Sequence, residues 1–139
     1  MAQSDENATL VKLSDSNLRL ADPAEDIRGR KVLDKEGEEI GDVDDMFVDD
    51  HKQKVRFLQV ASGGFLGFGE TTFLIPVDVV THISGDAVHI NQARQYVAGA
   101  PRYNPNLVDR HSAENIYDYY GYAPYWGSGY VYPPYPYYP

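Results

Sequence analysis

Short apolar runs separated by turn residues dominate the middle of this chain. Between Ile27 and Ile90, aliphatic, β-branched and aromatic residues recur in brief stretches bounded by Gly, Pro, Asn or Asp, a pattern typical of β-strands and their turns. The pattern predicts six strands, at Lys31–Leu33, Glu39–Val48, Lys54–Ala61, Thr71–Ile75, Val79–Ile83 and Ala87–Ile90. No amphipathic segment of helical length alternates with them, so βαβ units are not expected. The prediction is a mainly β fold, a small six-stranded antiparallel barrel, closed or partly closed.

The flanking regions differ from this barrel segment, and the sequence divides into four parts. Residues 1–26 form a polar lead-in that either packs on the edge of the domain or remains a flexible arm. Residues 27–91 are the predicted barrel domain. Residues 92–116 form a linker with short helices, of which one is capped by Asn91 and ends at Gly99, while a second is predicted over Asn106–Tyr120.

The fourth part, residues 117–139, is called the aromatic tail. It contains ten Tyr and five Pro residues together with Trp126. Such low-complexity sequences favour extended backbone and often lack fixed structure. Tyrosine rings can nevertheless bury much area at small entropic cost. A disordered tail and a tail packed on its own or a neighbouring barrel are both consistent with the sequence.

The net charge of the chain limits the kinds of molecule that it is expected to bind. The net charge is −9, and residues 1–50 alone carry 15 acids against 6 bases. An acidic surface repels phosphate backbones and anionic lipids, so direct binding of nucleic acid or of a membrane surface is not expected. The chain has no Cys, which excludes disulfides and thiol chemistry. No signal peptide or membrane span is apparent, and a cytoplasmic location is expected.

The order of the predicted strands and glycine turns resembles that of PRC-barrel domains. The resemblance begins with a "G-x-x-V" strand at Gly29–Val32 and passes through the charged turn at Gly37 to Ile40-Gly41-Asp42-Val43. It continues through the strand at Val55–Val60 to Phe73-Leu74-Ile75-Pro76, and covers roughly residues 27–90. The resemblance implies a six-stranded barrel whose common theme is protein–protein contact, with no catalytic residue to transfer.

An acidic run with a neighbouring histidine suggests a metal site at first sight; its members are Asp42, Asp44, Asp45, Asp49, Asp50 and His51. On a strand, however, successive side chains point to opposite faces, so one strand cannot gather all of these oxygens around one ion. The calcium-loop pattern is also absent. We therefore expect a solvated outer face of the barrel and no metal.

The remaining candidates are large apolar and aromatic side chains outside the predicted core. Phe65, Leu66 and Phe68 lie in a glycine-rich loop, where they either fold over the barrel mouth or dock on another chain. The predicted partner-binding residues are Phe65, Leu66, Phe68, Tyr125, Trp126, Tyr130, Tyr132 and Tyr135. Surface roles are expected for His51, His82, His89 and His111, and a turn or cap role for Asp78.

These observations predict a non-enzymatic protein-binding or self-assembly module without a cofactor. Its expected partner is a second copy of the chain or another protein. Two alternatives remain: an accessory factor that reaches the ribosome or RNA processing through protein contacts, and an acidic metal-binding protein that uses the Asp residues. An acidic surface argues against direct contact with RNA in the first alternative.

Overall fold

The architecture is mainly β, with two short helices after the sheet. A computed structural model describes residues 10–15, 20, 23–50, 52–62, 71–105, 108–133 and 135. The strands are β1 (Leu10–Lys12), β2 (Lys31–Leu33), β3 (Glu39–Asp49), β4 (Lys54–Ser62), β5 (Thr71–Pro76), β6 (Val80–Ser84) and β7 (Ala87–Ile90). The helices are α1 (Arg94–Ala98) and α2 (Arg110–Tyr120). Single 3₁₀ turns occur at Leu13–Asp15, Pro23–Glu25 and Val77–Val79. Among the described residues, no helix is long and apolar enough to cross a membrane.

The long strand β3 organises the sheet, whose order is β5-β4-β3-β2-β7-β6. It pairs with β4 along one edge. Its other edge is shared by β2 at its start and by β1 at its end. The path ends at β5 and β6, so the described strands do not close a barrel by hydrogen bonding.

The six predicted strands are confirmed, and no predicted end differs by more than one residue from the observed end. Two features differ from the sequence prediction. β1 adds a seventh strand, and β2 pairs with β7 in parallel. Neighbouring hairpins can be inferred from turn residues, whereas a pairing between strands that are distant along the chain depends on the closure of the whole sheet.

Gly41 is required by a close approach between β3 and β4. A Cβ atom at this position would lie 2.1 Å from the Ala61 carbonyl oxygen. The ladder between β2 and β3 shifts register beside it, because Val32 pairs with Gly41 whereas Leu33 pairs with Glu39. This register shift is the irregularity that a β-bulge produces, and any larger side chain at Gly41 would push the strands apart.

The core is formed by the sheet together with segments that precede and follow it along the chain. In β4, every residue from Val55 to Val60 is buried. Because alternate side chains of a strand point to opposite faces, both faces of β4 are covered. On α2, Ile116 and Tyr117 are also buried, and the Tyr117 ring lies 4.9 Å from that of Phe57, measured between centroids.

The helix ends differ in how far they could be predicted. Asp109 caps α2 by accepting a 2.9 Å hydrogen bond from the Ser112 amide, and Gly121 ends this helix with a positive φ of 80°. Asn91 was predicted to cap α1, and this prediction is wrong. The amide of Arg94 instead donates to the Asp34 carboxylate at 2.9 Å. A cap from a distant part of the chain leaves no local sequence signal.

Candidate functional site

The aromatic tail folds back onto its own barrel. The first four residues of the tail belong to α2, and the described residues beyond this helix, 121–133 and 135, run beside the first half of β4 and the turn before it. Tyr125 and Tyr135 are buried, and Tyr130 and Tyr132 are half-buried. Of the two arrangements that the sequence left open, the described residues show the tail packed on the same chain.

A buried ion pair lies under the tail. Arg56 on β4 and Asp49 at the end of β3 are 4% and 1% exposed. The Arg56 Nε and Nη2 groups both donate to Asp49 Oδ2, at 2.8 and 2.7 Å. Two charges removed from water need this pairing, since an unpaired buried charge is very costly. The pair therefore links β3 and β4 beneath the tail.

Three tail tyrosines surround the Arg56 guanidinium group. Its Cζ atom lies 4.5 Å from the ring centroid of Tyr125, 5.3 Å from that of Tyr132 and 5.8 Å from that of Tyr130. Each separation is within the range of a cation–π interaction. We call this arrangement the Arg56 cage. It explains how an arginine can sit in the middle of a buried strand.

A second polar cluster connects the tail to the N-terminal part of the domain through Glu25. The buried Glu25 carboxylate accepts hydrogen bonds from the Val55 amide at 3.3 Å and from Lys54 Nζ at 3.2 Å. Tyr132 donates its hydroxyl to Glu25 Oε1 at 3.2 Å and to the Val55 carbonyl at 3.1 Å. Tyr135 donates to the Glu25 carbonyl at 2.7 Å. The tail is thus fixed by directional bonds as well as by apolar contact.

Asp78 provides a third attachment point, because Tyr130 donates to its Oδ2 atom at 2.9 Å. Burial raises the pKa of Asp78 above its ordinary value, although the Tyr130 bond opposes this shift. Burial also raises the pKa of Tyr130, which the neighbouring Asp78 charge raises further. Burial raises the pKa of Tyr125 to about 12. Asp78 was predicted to serve as a turn or cap residue. It lies in the 3₁₀ turn Val77–Val79, and its side chain also binds the tail.

An open cleft of about 360 Å³ lies between the tail and the start of β4. Its barrel side carries Lys52, Lys54 and Arg56, and its tail side is formed by residues between Tyr125 and Tyr132. We call it the Arg56 cleft. It combines three cationic side chains with three tyrosine rings and the short Gly127-Ser128-Gly129 turn.

The predicted partner-binding residues are distributed unequally over this site. Tyr125, Tyr130 and Tyr132 line the Arg56 cleft. Trp126 packs next to them, with its ring 5.0 Å from that of Tyr125 and beneath the guanidinium group of Arg110. Tyr135 is buried against the barrel. Phe65, Leu66 and Phe68 lie outside the described residues, so the role expected of their loop stays a prediction.

Sequence reasoning missed the barrel side of the site, namely Glu25, Lys54 and Arg56. The available signal was Arg56 itself, a charge placed between Val55 and Phe57 in the predicted strand Lys54–Ala61. An arginine at such a position requires an anion and a cover, because charged residues are rarely buried alone. The sequence could not identify Asp49 and the tail as those partners.

The expectation of a solvated acidic face is wrong for two of its residues. Asp45 and Asp49 are buried. Asp45 accepts hydrogen bonds from the amides of Ser14 and Met46, at 3.2 and 2.9 Å, and from the Ser14 hydroxyl. The lead-in and the tail cover this part of β3, which the strand pattern alone could not reveal. Asp42 and Asp44 are exposed, as expected.

The described part of the chain contains no group of three or more His, Asp or Glu side chains arranged to hold a metal ion. His82 and His89 stack face to face across β6 and β7, with centroids 4.0 Å apart. Burial lowers the pKa of His89, and the neighbouring His82 lowers it further. His82 and His111 are exposed and His89 is half-buried, whereas His51 lies outside the described residues.

Comparison with known proteins assigns the sheet region to a protein family. A family model described as the PRC-barrel domain matches residues 21–95, more than half of the chain. The match begins before β2 and ends in α1, so it excludes the tail that completes the Arg56 cleft. A search of curated proteins found no significant match.

Proposed function

Because the chain belongs to the PRC-barrel family, we propose that it is a non-enzymatic protein-binding or self-assembly module. PRC-barrel domains are generally non-catalytic, and they often mediate protein interactions. Fold alone does not define a function, so the proposal depends on the site that this chain adds to the domain. A cytoplasmic location also stays a prediction.

The observation that supports the proposal is the Arg56 cleft with its cage. Tyr and Arg are the residue types most enriched at the energetic centres of protein interfaces. Before any partner arrives, Asp49 holds Arg56, Asp78 holds Tyr130 and Glu25 holds Tyr132 by hydrogen bonds. The third ring, that of Tyr125, packs on the Arg56 guanidinium group. A surface that is already ordered loses less conformational entropy on binding.

The cleft is compatible with both versions of the proposal. The chain would contact either a different protein or a second copy of itself. In the first, a partner segment enters the cleft. In the second, the entering segment belongs to an identical chain, and a contact between different surfaces of identical subunits gives rings or filaments. The tail itself is already used within the chain, so it contributes a wall of the cleft in both versions.

Light scattering on the full chain over a range of concentrations distinguishes the versions. Two variants are compared with the natural chain. Ser128→Trp places a bulky ring at the exposed edge of the cleft, and Asn115→Trp places the same ring on the exposed face of α2. Self-assembly through the cleft predicts a mass above that of one chain, which falls in Ser128→Trp and is retained in Asn115→Trp.

A single-chain mass at every concentration would exclude self-assembly and leave only contact with another protein. The three proteins would then be immobilised and exposed to a cell extract. Binding by the natural chain and Asn115→Trp, with loss in Ser128→Trp, is the expected result. Equal retention of cellular proteins by all three would contradict a role for the cleft in binding.

A further inference from the structure

The Arg56 cleft differs in charge from the chain that forms it. The net charge of the chain is −9, yet the residues lining the cleft include Lys52, Lys54 and Arg56 and no acid. Asp49 and Glu25 neutralise Arg56 and Lys54 from the buried side. Lys52 is exposed, and its ammonium group forms no ion pair with an acid among the described residues. The cleft therefore has a positive edge.

Donor groups remain available at this edge. An ammonium group has three N–H donors, and Lys54 directs one toward Glu25 at 3.2 Å while its side chain is 35% exposed. Toward the described residues, the one hydrogen bond of Lys52 comes from its backbone amide, which donates to Asp49 at 2.7 Å. Two lysines that line the same cleft are suited to a carboxylate.

The walls of the Arg56 cleft favour a ligand of a particular shape as well as one of negative charge. Tyr125, Tyr130 and Tyr132 offer flat aromatic surfaces beside the lysines, and the cleft volume of about 360 Å³ is within the usual range for ligand sites. An extended peptide can place backbone and methylene groups against these rings while it directs a carboxylate to the lysines. A polyanion such as nucleic acid is repelled by the net charge of −9.

We propose that the Arg56 cleft binds an acidic side chain, Glu or Asp, on an extended segment of a partner protein. This inference rests on the proposed protein-binding function and specifies the chemistry of its partner. Lys52 and Lys54 receive the carboxylate, and the tyrosine walls contact the chain that carries it. Arg56 holds the walls in position from behind.

The test measures binding of a short synthetic peptide with two adjacent Glu residues to the full chain by calorimetry. The matched peptide has Gln at both positions. We expect the Glu peptide to bind at least about tenfold more tightly than the Gln peptide, and added salt to weaken it. Lys52→Glu should reduce its affinity by about tenfold, whereas Lys35→Glu, the same charge change at an exposed turn outside the cleft, should leave it within about twofold.

Several results would overturn the inference. These are absence of binding, equal binding of the Glu and Gln peptides, or equal losses in Lys52→Glu and Lys35→Glu. Glutarate and inorganic phosphate are measured separately, and binding as tight as that of the Glu peptide would identify a small-anion site instead of a protein contact. If the Glu peptide did not bind but the mass still fell in Ser128→Trp, the acidic-segment inference alone would be refuted. The proposed function would be refuted as well if the peptide failed to bind, Ser128→Trp left the mass unchanged, and the natural chain, Ser128→Trp and Asn115→Trp retained cellular proteins equally.

Discussion

The barrel and the aromatic tail are ordered by different kinds of contact. The barrel buries aliphatic side chains, such as Leu58 and Ile75, which have no exposed surface. The tail is attached through phenol hydroxyls and ring faces to charged groups of the barrel, above all Glu25 and Arg56. Apolar burial is non-directional and tolerant, whereas a hydroxyl bond to one carboxylate depends on position.

The two regions meet in one site, although the family match covers only the sheet region. The sheet carries the PRC-barrel pattern. The tail places its tyrosines against charged side chains of that sheet region. Arg56 needs a cover because it is buried, and the tail tyrosines supply it. The same residues then form the cleft that we propose for partner binding. Stability of the tail and formation of the site are therefore coupled.

The largest expected effect comes from high pH, because the tail contains ionisable rings and the aliphatic core does not. An unfolded tyrosine ionises near pH 10, whereas burial raises the pKa of Tyr125 to about 12 and also raises those of Tyr117, Tyr130 and Tyr132. Since the folded-state pKa lies above the unfolded value, this stabilisation is complete below about pH 10 and is lost as the pH rises toward 12 and beyond. Release of the tail should appear in Trp126 fluorescence together with tyrosinate absorbance.

The same titration in denaturant is the control, and there all the tyrosines should ionise together near pH 10. If the folded protein gave the same absorbance curve, with Trp126 fluorescence unchanged throughout, the tail could not be packed on the barrel as described. If the tail were released while the circular dichroism of the strands persisted, the two regions would unfold separately.

The next largest effect is expected from Arg56→Ala, which leaves Asp49 buried without its cation and removes the centre of the cage. Loss of one partner of a buried ion pair costs about 3–5 kcal/mol. The matched control is Arg28→Ala. Arg28 and Asp26 are also 2.7 Å apart, but their side chains are 38% and 34% exposed, so the expected loss is below about 1 kcal/mol. Urea unfolding measures the free energy of unfolding of both variants. Equal losses in Arg56→Ala and Arg28→Ala would contradict the distinction between the buried and the exposed ion pair.

The smallest effect is expected from Tyr132→Phe, which retains the ring over Lys54 and removes only the hydroxyl shared by Glu25 and Val55. Loss of a hydrogen bond to a charged group costs about 1.5–3 kcal/mol, and a neutral one about 1, so a loss of about 1–2 kcal/mol is expected for these long bonds. Tyr122→Phe is the control, because its hydroxyl contacts only the exposed Asn91 amide among described side chains. Equal stability of both variants would show that the hydroxyl does not hold the tail.

Much of the sheet could be predicted because strand and turn signals are local. Val55, Phe57 and Val60 favour extended backbone wherever they occur, and Gly37 adopts the positive φ that its turn requires. The cap of α2 at Asp109 is equally local, although the prediction placed the start of this helix at Asn106. The parallel pairing of β2 with β7 has no such signal, since it joins segments from opposite ends of the domain.

The position of the tail could not be predicted from local sequence pattern. By itself, the sequence determined a small β domain with PRC-barrel character, an acidic N-terminal third and a stretch of tyrosines able to bury area. Only the tertiary structure decided that Asp49 meets Arg56, that three tyrosines surround it, and that Tyr132 reaches Glu25, which is 107 positions away. Apolar periodicity reports which side of a strand is buried, whereas a polar contact requires two specific atoms to meet, and that depends on how the whole chain folds.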